Sequence, residues 1–120
     1  MSAIASHDAD DALAAYAEAL ADHEADLECF LVLAGRQTEV ARQFDAEALT
    51  SVTREREQAM AHLLEVASRL GPTRRWAESL QGSWTVHPSW QAAAACRQRI
   101  GALVTRVIAQ DAETRALLEA

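Results

Sequence analysis

The sequence predicts an all-α protein, an antiparallel three-helix bundle with a long coiled-coil-like hairpin, and three observations predict it. Alanine, the best helix former, fills 27 of the 120 positions. Glycine and proline together supply only six residues, too little punctuation for a many-stranded β protein. Apolar residues recur at intervals of three, four and seven along most of the chain, the spacing of helix faces rather than strand faces. A chain of this length, half of it hydrophobic, forms one domain over residues 1–120.

The first helix is expected over about 8–43. Ser6 and Asp8 offer oxygen acceptors at its start, and the acids that follow suit the positive end of a helix dipole. Leu13, Leu20, Leu27, Ala34 and Ala41 then repeat every seven residues, with Tyr16, His23, Phe30, Gln37 and Phe44 three residues after each. Five such repeats make a coiled-coil-like seam, about 54 Å long at ~1.5 Å per residue. Gly35 lies inside this helix and costs about 1 kcal/mol relative to alanine, which makes it a place for a bend.

Asp45 is placed to cap a second helix over 46–70, after a turn at 44–46 short enough to make the first two helices antiparallel neighbours. Its seam reads Leu49, Arg56, Leu63 and Leu70, with Val52, Ala59 and Val66 between. Gly71-Pro72 is expected to end it, glycine taking a left-handed cap and proline interrupting the ladder. Residues 73–88 are the irregular part: a brief helix from Thr73 through Leu80, then a connection containing Trp84. Ser89, after Pro88, is expected to cap a third helix over 89–118. Its stripe is Trp90, Ala93, Ile100, Leu103, Val104, Val107 and Ile108, continuing to Leu117 and Leu118.

Charge and termini narrow the function classes. All eleven basic residues are arginine, and the net charge is −7. Residues 1–35 hold eight acids and no lysine or arginine, which argues against wrapping a phosphate backbone. Cys29 and Cys96 are the two cysteines; without a charged n-region and apolar h-region before them they read as reduced cytoplasmic thiols. The longest strongly apolar run near the start, Phe30 to Ala34, is far short of the ~20 residues that span a bilayer. A cytoplasmic protein without a membrane span is expected.

Chemistry is hard to place on this chain. No Glu is followed three residues later by His, and neither His-Glu-x-x-His nor Cys-x-x-Cys occurs, so no metal site is expected. No glycine-rich phosphate loop or nucleophile elbow is present, and no cofactor is expected. His23 sits on the seam beside Glu24 and reads as a core or boundary histidine bonded locally, with a ligand or switch as the sharper alternative. Cys29 lies just outside the first seam and Cys96 near the third, neither at a helix start where a thiol pKa would fall. Arg56 is the one seam arginine that could clamp a substrate carboxylate; pairing with an internal acid is the commoner use. The protein is not expected to be an enzyme.

Trp76, Trp84 and Trp90 fall within fifteen residues around the long connection. They read as a plug for that end of the bundle, or as an aromatic platform for a partner. The third helix is the stronger binding candidate. Where the first two helices outrun the cover the third provides, an open apolar groove binds another amphipathic helix. Leu103, Val104, Val107, Ile108, Leu117 and Leu118 form the widest stripe and are the expected partner contacts, shared with the core.

The segment Phe44-Asp45-Ala46-Glu47-Ala48-Leu49, then Arg54-Glu55-Arg56-Glu57, Leu63-Leu64 and Leu70, resembles the central helical hairpin of the FlgN/FliT-type flagellar export chaperones. Val107-Ile108-Ala109-Gln110-Asp111 through Leu117-Leu118 resembles the closing helix of that family. The resemblance covers residues 27–70 and 100–118. It implies a cytoplasmic chaperone that binds the C-terminal helical segment of a flagellar axial protein, of the hook–filament junction or the filament cap, and delivers it to the type III export gate. No nucleotide or metal is implied. A self-associating structural or regulatory bundle, a homodimer for example, is the alternative, and a small helical enzyme or metal protein comes third.

Overall fold

A computed structural model describes residues 3–79 and 87–120, with side chains described over 10–76 and 87–120. Three helices run antiparallel in chain order: α1 Ala3–Arg42, α2 Ala46–Ser79 and α3 Pro88–Glu119. They form a three-helix bundle measuring 64 × 20 × 17 Å, and the described residues contain no strand.

The expected seam of α1 is its buried face. Leu13, Tyr16, Leu20, Leu27, Phe30, Ala34 and Ala41 are all buried, and Thr38 joins them. Helix α1 starts at Ala3 rather than near residue 8, since Ala3, Ile4 and Ala5 contain nothing that blocks helix. It continues through Gly35.

Phe44 departs from the seam on which the heptad count places it: it is 84% exposed, at φ 54°. The helix stops at Arg42, and the chain leaves it by donating from Asp45 N to the Val40 carbonyl and from Phe44 N to the Ala41 carbonyl, at 3.2 and 3.1 Å. That pairing is a Schellman motif, with Phe44 in the left-handed position that glycine usually takes. Asp45 then caps α2 as expected, its Oδ1 accepting from Ala48 N at 3.0 Å.

Gly71-Pro72 does not end α2, which continues to Ser79 with Pro72 inside. The brief helix expected from Thr73 is its continuation. Pro72 gives up the ladder hydrogen bond to the Ser68 carbonyl and its ring crowds that carbonyl; Gly71, without a Cβ, removes only the separate clash with the residue before the proline. Leu70 packs beside the Tyr16–Cys96 cluster, which favours carrying the helix past this point.

At the start of α3 the cap is His87 rather than Ser89. Its Nδ1 accepts from Ser89 N at 3.1 Å, with Pro88 in the first turn. His87 Nε2 also reaches Asp10 on α1 at 3.1 Å. Trp90 stacks on Tyr16, with ring centroids 6.5 Å apart. Trp90 thus packs partly buried against Tyr16, whereas Trp76 is 38% exposed and Trp84 lies outside the described residues.

The core has two centres. Leu27, Phe30, Leu63, Leu103 and Val107 join all three helices. Tyr16, Leu20, Ala93 and Cys96 join α1 to α3. Beyond the first centre the interior turns polar: Thr38 and Thr114 share a hydrogen bond of 2.7 Å, and Gln110 donates to Thr38 at 2.6 Å.

Candidate functional site

The three sides of the bundle are built differently. Between α1 and α2, Arg36 pairs with Glu55 and His62 with Asp26, both at 3.0 Å. Between α1 and α3, Arg99 donates twice to Glu24, at 2.8 and 3.1 Å, and Arg42 pairs with Glu113. The third side is more open: among the described residues no Cα of α2 lies within 8 Å of one of α3. There the two helices are joined by buried apolar side chains beneath and by an ion pair. Arg56 donates from Nη1 and Nη2 to the two carboxylate oxygens of Asp111 at 2.5 Å, and from Nη1 to Gln37 at 2.7 Å, with its guanidinium 4.8 Å over the Phe30 ring. The expectation of an internal acid for Arg56 is met by Asp111.

A groove therefore runs between α2 and α3, floored by the α1 row Tyr16, His23, Phe30 and Gln37. The six residues expected to contact a partner divide across it. Leu103 and Val107 are each 8% exposed and belong to the core; they hold α3 to Leu27, Phe30 and Leu63. Leu117 is half-buried. Val104, Ile108 and Leu118 are exposed, at 41, 64 and 55%. These three sit one to four positions past the buried row of α3, on the side that Asp111 shares with α2.

Met60 and Leu64 of α2, also exposed, were not among the expected contacts. In the antiparallel register set by Arg56–Asp111, Met60 falls level with Val107 and Leu64 with Leu103, each one residue from the exposed Ile108 and Val104. The signal for them is present in the heptad: each follows the α2 seam by one position or so, as Val104 and Ile108 follow that of α3. At ~25 cal/mol per Å², an exposed cluster of this kind is a liability in water unless something covers it.

Two cavities open along the groove. One, of about 460 Å³, is lined by Met60, Leu118, Thr53 and Thr114 together with Arg56, Glu57, Asp111, Arg115 and Glu119. The other, of about 560 Å³, has Tyr16, Leu20, His23, Leu70 and Ile100 toward its base, with Gly71, Gly101, Arg74 and Arg97 among its walls. A Cβ built on Gly101 would meet nothing within 4 Å, so this glycine leaves the wall open rather than allowing a close contact.

The titratable groups carry little chemistry. Burial holds His23 below the usual imidazole value, outweighing the attraction of Asp26, and His62 pushes the same way as burial. Its Nδ1 is buried without a hydrogen-bond partner, unlike the locally bonded histidine expected. Burial pushes the Cys96 thiol up, reinforced by Glu24, which it faces at 3.3 Å. That makes it an unreactive thiol. The hydrogen bond from Arg99, and then that from Cys96, hold Glu24 below the usual carboxylate range. Cys29 is exposed and free. Among the described residues no group of three or more His, Cys, Asp or Glu side chains is placed to hold a metal ion, and no helix is long and apolar enough to cross a membrane.

No family model, curated protein or solved structure matches the chain.

Proposed function

We propose that this protein is a helix-binding chaperone of the flagellar export kind, holding the C-terminal amphipathic helix of an axial protein of the filament junction or cap. The observation that carries the reading is the α2–α3 groove, where Met60, Leu64, Val104, Ile108 and Leu118 remain exposed on a bundle that has buried its seams. Helix-in-groove recognition draws affinity from covered apolar area and register from rim charge, and this groove offers both. It needs no metal, nucleotide or catalytic group.

The test is a pull-down with the tagged protein, read by mass spectrometry, using the wild type and a Val104→Gln/Ile108→Gln double variant. Covering the ~180 Å² that these two side chains expose is worth up to about 4 kcal/mol, so the variant should bind at least tenfold more weakly. Because neither side chain is buried, its far-UV helical signal should persist. Capture of a flagellar axial protein, lost on deletion of that partner's C-terminal helix, supports the reading; undiminished capture by the variant removes the groove from it.

A second reading, self-association, is favoured by the outer face of α3. From Gly101 to Ala109 its exposed residues include a single charge, Arg106, so a second copy could pack there. Light scattering separates the two: a tight dimer that captures nothing else favours self-association.

A further inference from the structure

The helices are arranged as three corners of a four-helix bundle. Helix α1 packs against both α2 and α3, while among the described residues no Cα of α2 comes within 8 Å of one of α3. A four-helix bundle sets a further helix at the corner left over, here between the Met60 and Leu64 side of α2 and the Val104 and Ile108 side of α3. The outward stripe of α3 that borders this corner is uncharged: Gly101, Thr105, Ile108, Ala109 and Ala112 are exposed on it, whereas a helix facing water ordinarily turns charges outward. The charges of α3 flank the stripe, Asp111 toward Arg56 of α2 and Arg99 and Glu113 toward α1. Met60, Leu64, Val104, Ile108 and Leu118 together expose roughly 450 Å² of side chain. Two copies that cover these surfaces bury about 900 Å² of apolar side chain, and with the small residues between them they reach the ~1,000 Å² of a specific interface.

We infer that two copies of this chain pair about a two-fold axis, the α3 of each filling the vacant corner of the other. A two-fold contact is self-complementary, so one helix face must supply both the protruding side chain and the space that receives it. Helix α3 supplies both: Ile108 protrudes, and Gly101, seven residues earlier and so on the same face, is a notch in which a Cβ would meet nothing within 4 Å. In an antiparallel pair Ile108 of one copy enters the notch at the partner's Gly101, and the reverse contact forms across the axis. That register also sets the long side chains opposite short ones: Arg97 meets the partner's Ala112, Arg115 meets the partner's Ala94, and Asp111 meets the partner's Gln98. The register that would instead set Ile108 against the partner's Val104 brings Arg97 onto the partner's Arg115, two bulky side chains where the helices must approach closely. Met60 and Leu64 of α2 close over the partner's helix from the far side of the groove. This inference rests on the self-association reading above and gives it a geometry. Because the second copy fills the α2–α3 groove, it and a bound helix exclude each other.

The experiment uses the full chain. Light scattering should show a dimer at micromolar concentration, and Ile108→Asp should weaken it at least about a hundredfold, because each copy would then bury a carboxylate in the notch of the other. Ile108 is exposed, so the far-UV helical signal of the variant should persist. The register is read by disulfide trapping in a Cys29→Ser background, which removes the exposed thiol. Mixed Gly101→Cys and Ile108→Cys chains should form a disulfide between the two variants, the facing Cα atoms lying within the ~7 Å that a disulfide spans. Ile108→Cys alone should not crosslink, since the two copies of that position lie seven residues apart along the pair, about 10 Å. A dimer that Ile108→Asp leaves intact, or that crosslinks through Ile108→Cys alone and not in the mixture, overturns the geometry and leaves self-association standing. A monomer up to about 100 μM, a concentration well above a micromolar Kd, overturns both.

Discussion

Replacing Phe44 with glycine should make the protein more stable, although it removes an aromatic ring. Phe44 is the one non-glycine residue with positive φ among the described residues, at 54°. An L-residue with a Cβ pays about 1–2 kcal/mol for that conformation, and glycine does not. Against this stands the greater freedom of glycine in the unfolded chain, about 0.4–1 kcal/mol. The ring itself contributes little, because at 84% exposure it is no better covered than in a realistic unfolded ensemble. The net gain is about 0.5–1 kcal/mol. With an unfolding entropy of ~2.1 cal/mol/K per residue, about 250 cal/mol/K for the whole chain, that raises Tm by about 2–4 °C. Thermal unfolding followed by far-UV circular dichroism measures it, with Phe44→Asn as a second variant that also tolerates the left-handed region. An unchanged or lowered Tm in both would refute the reasoning, since the ring would then be making contacts worth as much as the strain.

Three further predictions concern the interior and the groove. Asp111→Ala leaves the Arg56 guanidinium, whose side chain is 18% exposed, without its carboxylate; the cost should be about 2 kcal/mol, between that of exposed and of buried pairs, and a change in urea midpoint equivalent to under ~0.5 kcal/mol would show the pair to be solvent-screened. Gly101→Ala should stabilise α3 by about 0.5–1 kcal/mol, because a Cβ there meets nothing within 4 Å; destabilisation in the same assay would mean the wall is closed. His23 has its folded-state pKa below the ordinary value, so between the two the unfolded chain holds a proton that the folded chain lacks. Its contribution is therefore fully present above the ordinary imidazole pKa and is lost as pH falls below it, down to the folded value. His23→Leu should flatten the loss of stability as pH falls through the ordinary imidazole value of about 6.5, and an unaltered pH profile would remove His23 from the account.

The bundle was legible in the heptads because seam spacing reports burial directly. Leu13 through Ala41 on α1, and Val52 and Leu63 on α2, are buried where the repeat places them. Two local features were read wrongly for local reasons. Phe44 belongs to the repeat by count but falls beyond the helix end, where a Schellman turn reorients it. Pro72 looked like a stop because its missing N–H and its ring's clash with the carbonyl four residues back disfavour a helix interior, yet α2, with Leu70 packed on the core, continues past it. On α3 the stripe was expected to be shared between core and partner without a division by row; its rows divide into a core line through Leu103 and Val107 and an exposed line through Val104 and Leu118. Met60 and Leu64 were missed because they stand beside a seam rather than on it, and only the register set by Arg56 and Asp111 brings them to within one residue of Ile108 and Val104.

That ion pair also bears on why the groove is open at all. Two aliphatic side chains meeting between helices let the axes approach to about 8–10 Å, whereas a guanidinium and a carboxylate meeting end to end need more room. Arg56 and Asp111 span this gap, and among the described residues no Cα of α2 comes within 8 Å of one of α3; we predict that the pair acts as a strut. Replacing both partners of such a pair with apolar residues is often neutral or stabilising by about 1–4 kcal/mol, because no charge is left to desolvate. An Arg56→Leu/Asp111→Leu variant should accordingly unfold at the same or a higher urea concentration than the wild type. It should also lose affinity for an amphipathic peptide, since α2 and α3 would close over the space the peptide occupies. The pair of readouts separates the strut from an ordinary stabilising contact, which predicts lower stability with peptide binding unchanged. If the double variant were stabler and still bound the peptide with wild-type affinity, the groove would owe nothing to the ion pair, and its openness would have to come from the polar layer of Gln37, Thr38 and Thr114 beneath it.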